Sequence, residues 1–340
     1  MSETATLIHD AAHRLFGQHV TVDLLNVVEK GVWPEALWDA VEDAGFLDTL
    51  SDADTPPDER SANTAVLLRA AGRHLAPIPL GETIVARALL SAAKVKVPRG
   101  PISFGVLDGH THTHGDHAHL EGRALRVPYA RHAVNVLLSA PGSGEAVLIA
   151  VRRGMLIEGA NIAGEPRDDL AFGDTAGATV AGVSGDDLFT LGAAVRAAQM
   201  AGVLERILMQ TVEYARTRVQ FGKPIAAFQA IQQQLAVFAG HVAAAGIAAD
   251  AALAGLQSAN RTRAAAVAKV RAGEAVSAAT SIAHQVHGAI GITKEHSLHF
   301  ATRRLWSWRA EFGAEAYWAE RLGRDVCAAG ADAYWPAVTR

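Results

Sequence analysis

Between residues 186 and 242 the chain reads as two long apolar helices joined by a short basic turn. That junction constrains the fold more than any other stretch. Upstream, Asp186 or Asp187 can cap a helix that buries Leu188, Leu191, Val195 and Ala198. Downstream, Phe228, Ile231, Leu235, Phe238 and Val242 recur at alternating three- and four-residue steps, a sustained stripe for helix packing. The turn itself runs from Tyr214 to Gln229. Arg216, Arg218 and Lys223 put three positive charges around Phe221 and Gly222. Pro224 is expected as the first residue of the second helix, where its missing N–H costs nothing. A compact basic turn with an aromatic ring and a flexible backbone suits a phosphate-bearing ligand with a flat ring system. The plainer alternative is a basic connection with no ligand.

Two further long helices follow, around 260–287 and 294–310, and a last one runs to about Ala329. Small residues at Ala243–Ala245 and Ala264–Ala266 would let helices approach closely. Residues 185–340 therefore predict a C-terminal four-helix bundle. Residues 1–92 predict a helical N-terminal domain. Ala5 to Phe16 has helical spacing, and Pro34 opens a helix carrying Leu37, Val41 and Phe46. Asp52 to Arg60 reads as a polar loop. Asn63 can cap a helix closed by Pro77 and Pro79, and Glu82 to Ala93 forms another. Residues 93–184 change period. Val95, Val97, Ile102, Phe104 and Val106 alternate, as do Leu120–Val127, Ala133–Ser139 and Ala146–Val151. With Asp108-Gly109 and Pro141-Gly142 as turns, they predict a small antiparallel β-domain in the middle of a mainly α chain.

Composition narrows the function classes. A length of 340 residues with 50 % hydrophobic content allows about two to three domains and a large core. The net charge of −4 gives no reason to expect nucleic-acid binding. A single cysteine, Cys327, excludes an intramolecular disulfide framework and a paired-cysteine metal site. Neither a leader sequence nor an uninterrupted apolar run of membrane length is evident, so a soluble cytoplasmic protein without a membrane partner is expected.

The basic turn resembles a hallmark of the acyl-CoA dehydrogenases, Arg-x-x-Phe-Gly-Lys-x-Ile followed by Phe-Gln, here Arg218 to Ile225 and Phe228-Gln229. Gln285-Val-His-Gly-Ala-Ile-Gly is similar to that family's Gln-x-x-Gly-Gly-x-Gly segment. Leu37-Trp38 to Gly45-Phe46, and Ala71 to Thr83, resemble its helical first domain. The resemblance implies FAD held across a subunit interface. Arg218 would then contact the pyrophosphate side and Phe221 the ring system, with Gln229 closing the motif. A guanidinium binds phosphate through paired hydrogen bonds that lysine cannot copy. Gln285, Gly288 and Ala289 would supply the adenine-side contacts. Ala289 stands where the family has a second glycine, which is tolerable if its φ stays negative.

Two departures matter more. The family's β-domain usually holds the flavin ring with a Thr-Glu-Pro…Gly-Ser-Asp segment; Ile102 to Asp108 occupies that place without those residues. The family's reaction also needs a carboxylate to take the α-proton of a thioester. Many members carry it directly before a glycine, where this chain has Phe312-Gly313. Glu311, one residue early, is the candidate base. Other members carry it early in the first bundle helix, which here falls near Gly192. Histidines 110, 112, 114, 117 and 119 invite a metal, but no cysteine or clear carboxylate set completes a closed site, and a hydrophilic hairpin without metal is expected. The tryptophans at 306, 308, 318 and 335 are expected to pack or to meet a partner. His284 and His287 are expected to be structural.

Three arrangements remain open. In the first, the chain is one subunit of a heteromeric acyl-CoA dehydrogenase, and a homologous partner supplies the flavin-ring contacts and the base. The resemblance links such pairs to sterol side-chain and other bulky acyl-CoA esters, with an electron-transferring flavoprotein as acceptor. In the second, it is a self-sufficient homo-oligomer using Glu311. In the third, it is a non-catalytic homologue without flavin.

Overall fold

Hydroxyl caps open the first two helices. Ser2 accepts the N–H of Ala5 at the start of α1 (Glu3–His19), and Thr21 accepts that of Leu24 at the start of α2 (Val22–Val28). The computed structural model describes residues 2–114, 117–256 and 258–339. After α3 (Glu35–Asp43), Phe46 lies beyond the helix in a separate 3-10 turn entered through Gly45. Next comes α4 (Pro57–His74), which starts six residues before the expected cap at Asn63. Pro57 in the first turn, with Asp58 and Glu59 against the positive helix end, sets that start, and Asn63 is buried inside the helix. Last in this region is α5 (Leu80–Ala92).

Six strands follow: β1 (Ile102–His114), β2 (His117–Pro128), β3 (Asn135–Ser139), β4 (Glu145–Ala150), β5 (Leu156–Ile157) and β6 (Arg167–Ala181). Neighbours run β2-β1-β3-β4-β6, and β6 returns to pair with β2, so the sheet closes on itself with β5 along β6. Closure removes the exposed edges that an open sheet would present. Its interior holds Leu107, Leu120, Val136, Val147 and Leu170. The domain is not wholly antiparallel, because β1 and β3 pair in parallel. Asp108 and Gly109 do not turn; they sit within β1, opposite Arg123 and Gly122. Val95 and Val97 precede the first strand, and β6 was not anticipated.

The remaining helices are α6 (Gly185–Thr217), α7 (Gln229–Ala254), α8 (Arg261–His287), α9 (Leu298–Ala310), α10 (Glu315–Ala329) and α11 (Ala331–Thr339). Ser184, not an aspartate, caps α6. Its hydroxyl accepts the Asp187 N–H while the Asp187 carboxylate accepts the Ser184 N–H, a reciprocal capping box. Pro224 does not open a helix. It ends a two-residue ladder of β7 (Val219–Gln220) and β8 (Lys223–Pro224), and α7 starts only at Gln229.

Helix α6 is the axis of the molecule, packing on α4, α7 and α8. It touches α4 so closely that a Cβ on Gly72 or Gly202 would lie 2.0 Å from a backbone oxygen of the facing helix. On α7, Phe238 and Val242 are buried, whereas Ile231 and Leu235 are only half covered and Val237 and Ile247 are exposed. With a mean hydropathy of 1.6 over its most apolar window, α7 has the length and character to cross a membrane, which qualifies the sequence expectation. Its contacts with α6 and α8 place it in the bundle.

Candidate functional site

A cavity of about 900 Å³ opens where β1, β2 and the loop after β5 meet the start of α6 and the end of α9. Phe104, Leu107, Phe189, Trp306 and Phe312 give it apolar walls, and Glu311 and Arg167 lie at its base. Trp306, expected to pack or to meet a partner, lines the cavity; Trp308 and Trp318 are buried. Ser103, the hydroxyl residue in the segment where the family has flavin-ring contacts, faces inward and donates to the Pro128 carbonyl.

The base of the cavity is a chain of alternating buried charges that the sequence did not reveal. Glu82 on α5 pairs with Arg196 on α6, and Arg196 reaches Glu311 at 2.7 Å. Arg167 binds both oxygens of Glu311, at 2.7 and 3.0 Å, and also reaches Glu165 at 3.0 Å. Glu165 in turn meets Arg304 at 3.2 Å and accepts the Trp308 indole N–H at 2.7 Å. Three carboxylates and three guanidiniums therefore alternate across residues far apart in sequence, each ion facing an opposite one. Burial alone would raise the Glu311 carboxyl, but the charges of Arg167 and Arg196 outweigh it and bring it from 4.5 down to about 2.

Glu311, the candidate base, lies inside this network. Both oxygens are committed to guanidinium donors in three hydrogen bonds, and Asn161 adds a fourth at 3.2 Å. A carboxylate held this far below the operating pH is a weak proton acceptor. The surrounding turn is fixed as well. Lys269 donates to the carbonyls of Trp308, Arg309 and Glu311 at 2.9, 3.1 and 2.8 Å, and Trp318 donates to that of Phe312 at 2.9 Å.

Phe312 and Gly192, the two places where the resemblance would put a carboxylate, are neighbours in space. Phe312 has φ +52°, and its ring lies where a side chain on Gly192 would be: a Cβ there would come 2.4 Å from the ring. The ring also meets Phe104 and Phe189, with centroids 5.6 and 6.1 Å away. The ring at the first position fills the space that a side chain at the second would need. Among the other cavity carboxylates, Glu158 pairs with Arg131 at 3.0 Å and Asp169 accepts the Arg126 N–H at 2.7 Å. Asp108 is exposed and has no ion pair among the described residues.

The motif residues lie at the opposite end of the bundle. Phe189 and Thr217 both belong to α6, and at about 1.5 Å per residue they are about 42 Å apart. Past Thr217, Phe221 and Gly222 both take positive φ, +52° and +78°, in the tight turn between β7 and β8. That turn holds the Phe221 ring 91 % exposed. Arg216 and Arg218 are exposed without an ion pair among the described residues, and Lys223 lies 4.5 Å from the Phe228 ring. The second motif joins this end through stacking of His287 on Tyr214, centroids 4.5 Å apart. His287 Nδ1 donates to the Ala283 carbonyl at 2.7 Å, which leaves a buried Nε2 acceptor with no partner among the described residues. Gln229, Gln285, Gly288 and Ala289 are exposed. Gly288 has φ +62° with open space beyond it, and Ala289 keeps a negative φ. The fold thus gathers Arg218, Phe221, Gln229, Gln285, Gly288 and Ala289 at one end and Glu311 at the other.

Residues 186–326 match the model of the acyl-CoA dehydrogenase C-terminal domain. The sequence is 32 % identical over 253 residues to acyl-CoA dehydrogenase IpdE2 of Mycobacterium tuberculosis, covering 72 % of this chain and 71 % of that one. The chain belongs to the acyl-CoA dehydrogenase family. IpdE2 of Mycolicibacterium smegmatis is 30 % identical over 249 residues, 72 % of each chain. In fold, this family member is similar to a chain of the ChsE4–ChsE5 complex from Mycobacterium tuberculosis, with a TM-score of 0.86 at 23 % identity over 97 % of this chain and 99 % of that one. It is also similar to butyryl-CoA dehydrogenase from Megasphaera elsdenii, with a TM-score of 0.83 at 18 % identity over 96 % and 98 %.

Proposed function

We propose that this chain is one subunit of a heteromeric acyl-CoA dehydrogenase, lending its basic end to a flavin site whose ring pocket and catalytic base lie on a homologous partner. The observation that carries this is the separation along α6. The dinucleotide-type groups stand about 42 Å from this chain's own cavity, farther than an extended dinucleotide reaches. They therefore serve a site on another subunit. The groups at that end fit FAD. Two exposed guanidiniums, an exposed ring, and a positive-φ glycine that opens its backbone N–H suit a pyrophosphate with attached ring systems. Arg218, Phe221 and Gln229, with Gln285, Gly288 and Ala289, would hold it. FAD, when bound, would accept a hydride from the acyl β-carbon.

This chain's own cavity supports the other half of the proposal. The positions expected to carry the base hold Phe312 and Gly192. The double clamp on Glu311 weighs against a self-sufficient homo-oligomer. The half-covered stripe and exposed apolar residues of α7 offer area for a partner. Similarity to a chain of the ChsE4–ChsE5 complex and to the Tcur3481–Tcur3483 steroid acyl-CoA dehydrogenase favours a homologous partner, and a steroid-type or similarly bulky acyl-CoA is the substrate class. An electron-transferring flavoprotein is the proposed acceptor and the cytoplasm the proposed location.

The test is co-expression with a homologous acyl-CoA dehydrogenase chain. The pair should purify yellow and the chain alone colourless. Arg218→Ala in the pair should weaken flavin retention by about 1.5–3 kcal/mol while leaving the fold intact. Full flavin binding by this chain as a monomer, or unchanged retention in Arg218→Ala, would refute the proposal.

A further inference from the structure

The geometry points to a zinc-type divalent cation site on the β-domain, built by His112, His119 and Asp174. These residues come from three strands. His112 on β1 and His119 on β2 are cross-strand partners, their rings stacked with centroids 5.5 Å apart. Asp174 is on β6, beside the irregularity where the β2–β6 register shifts between Leu120 and Gly122. It takes a φ of +38°, and the irregular strand aims its carboxylate at both imidazoles. One oxygen of Asp174 lies 2.8 Å from His119 Nδ1 and 3.3 Å from His112 Nε2. One ligating atom from each residue fits within a mutual span of 4.8 Å.

That donor set fits a particular class of ion. Ligands about 2.0–2.1 Å from a tetrahedral zinc lie roughly 3.3 Å from one another. The His112–Asp174 separation is already at that value, and the 2.8 Å between His119 and Asp174 has to open by about half an ångström. Two imidazoles and one carboxylate favour zinc, copper or nickel over magnesium or calcium, which prefer all-oxygen shells. Three protein ligands leave a position for water. One step along the same ladder, His110 and Glu121 face each other at 3.4 Å and form a polar border. A bound ion would fasten β1, β2 and β6 together. The first two of these strands also carry Asp108 and Leu125 at the cavity. The side chains of His114 and His117 lie outside the described residues, and the site does not use them.

The experiment is Zn²⁺ titration of the full chain by calorimetry at pH 7.5, repeated on the Asp174→Asn, His119→Ala and His9→Ala chains. Far-ultraviolet circular dichroism checks that each is folded, and His112→Gln replaces any variant that is not. One Zn²⁺ per chain is expected. Asp174→Asn and His119→Ala should each weaken it by at least about 10–100-fold, while His9→Ala leaves it unchanged. Affinity should fall from pH 7.5 to pH 5.5, because both imidazoles must be neutral to ligate. Asp174→Asn keeps all the histidines of the hairpin. Retained affinity in that chain would therefore assign binding to the histidine tract alone and overturn the site. No Zn²⁺ binding by the unaltered chain, or an equal loss in His9→Ala, would overturn it too.

Discussion

Replacing Glu311 by glutamine removes one negative charge from between two buried guanidinium groups. The carboxyl titrates near 2 rather than at 4.5, a displacement equivalent to roughly 3 kcal/mol of preference for the charged form. Its side chain is only 16 % exposed, so solvent screens little of this. Removing one partner from a buried ion pair typically costs about 3–5 kcal/mol. Glu311→Gln should therefore lower unfolding free energy by about 3 kcal/mol at pH 7, read by urea denaturation at constant protein concentration. The same shift fixes an acid response. The folded value is depressed, so the contribution is complete above the unfolded value and is lost as pH falls from about 4.5 towards 2. The difference in stability between the two chains should shrink over that window. In the co-expressed complex, held well below its unfolding temperature, Glu311→Gln should keep near-normal turnover. Unchanged stability, with flavin bound and turnover cut by the roughly hundredfold typical of lost acid–base catalysis, would refute this and make Glu311 the base.

Gly192→Ala should destabilise by about 1–3 kcal/mol, because its Cβ would meet the Phe312 ring at 2.4 Å, and Phe312→Ala should relieve most of that cost in a double-mutant cycle of denaturation measurements. Lys269→Met should cost about 3 kcal/mol or more, since three carbonyls at the end of α9 lose their donor, and hydrogen exchange should show the turn at residues 310–314 loosening first. Asp108→Asn tests the cavity carboxylate without an ion pair among the described residues; turnover of the assembled complex should be unaffected.

Helix spacing carried most of the fold because a buried stripe must recur with the helical period whatever it packs on. Phe238 and Val242 show this on α7. Errors gathered where local and distant effects compete. Asn63 reads as a cap, yet Pro57 and two acidic residues start the helix earlier. Asp108-Gly109 reads as a turn, yet the ladder with Arg123 and Gly122 runs through it. The parallel pairing of β1 with β3 depends on contacts no local pattern encodes. The basic end of the site was legible because its residues are contiguous or share one motif. The charge network was not, since its members at 82, 165, 167, 196, 304 and 311 come together only through the fold. Isolated charges inside apolar helical stretches, Glu82 on α5 and Arg196 on α6, were the available signal.

That network explains why Phe312 and Glu311 cannot simply exchange roles. Arg167 and Arg196 fix Glu311 from two elements, one on the β-domain and one on the bundle. Lys269 and Trp318 hold the backbone on either side. With those four contacts in place, the next side chain has one direction open to it, towards Gly192, and a phenyl ring fills that space against Phe104 and Phe189. A side chain on residue 192 would exclude the ring, and a carboxylate at 312 would sit among aromatic rings with Arg196 already paired to Glu82 and Glu311. Loss of both carboxylate positions is thus one packing solution rather than two separate absences. A chain built this way is held by buried ion pairs at the cavity end and presents exposed arginines at the end about 42 Å away.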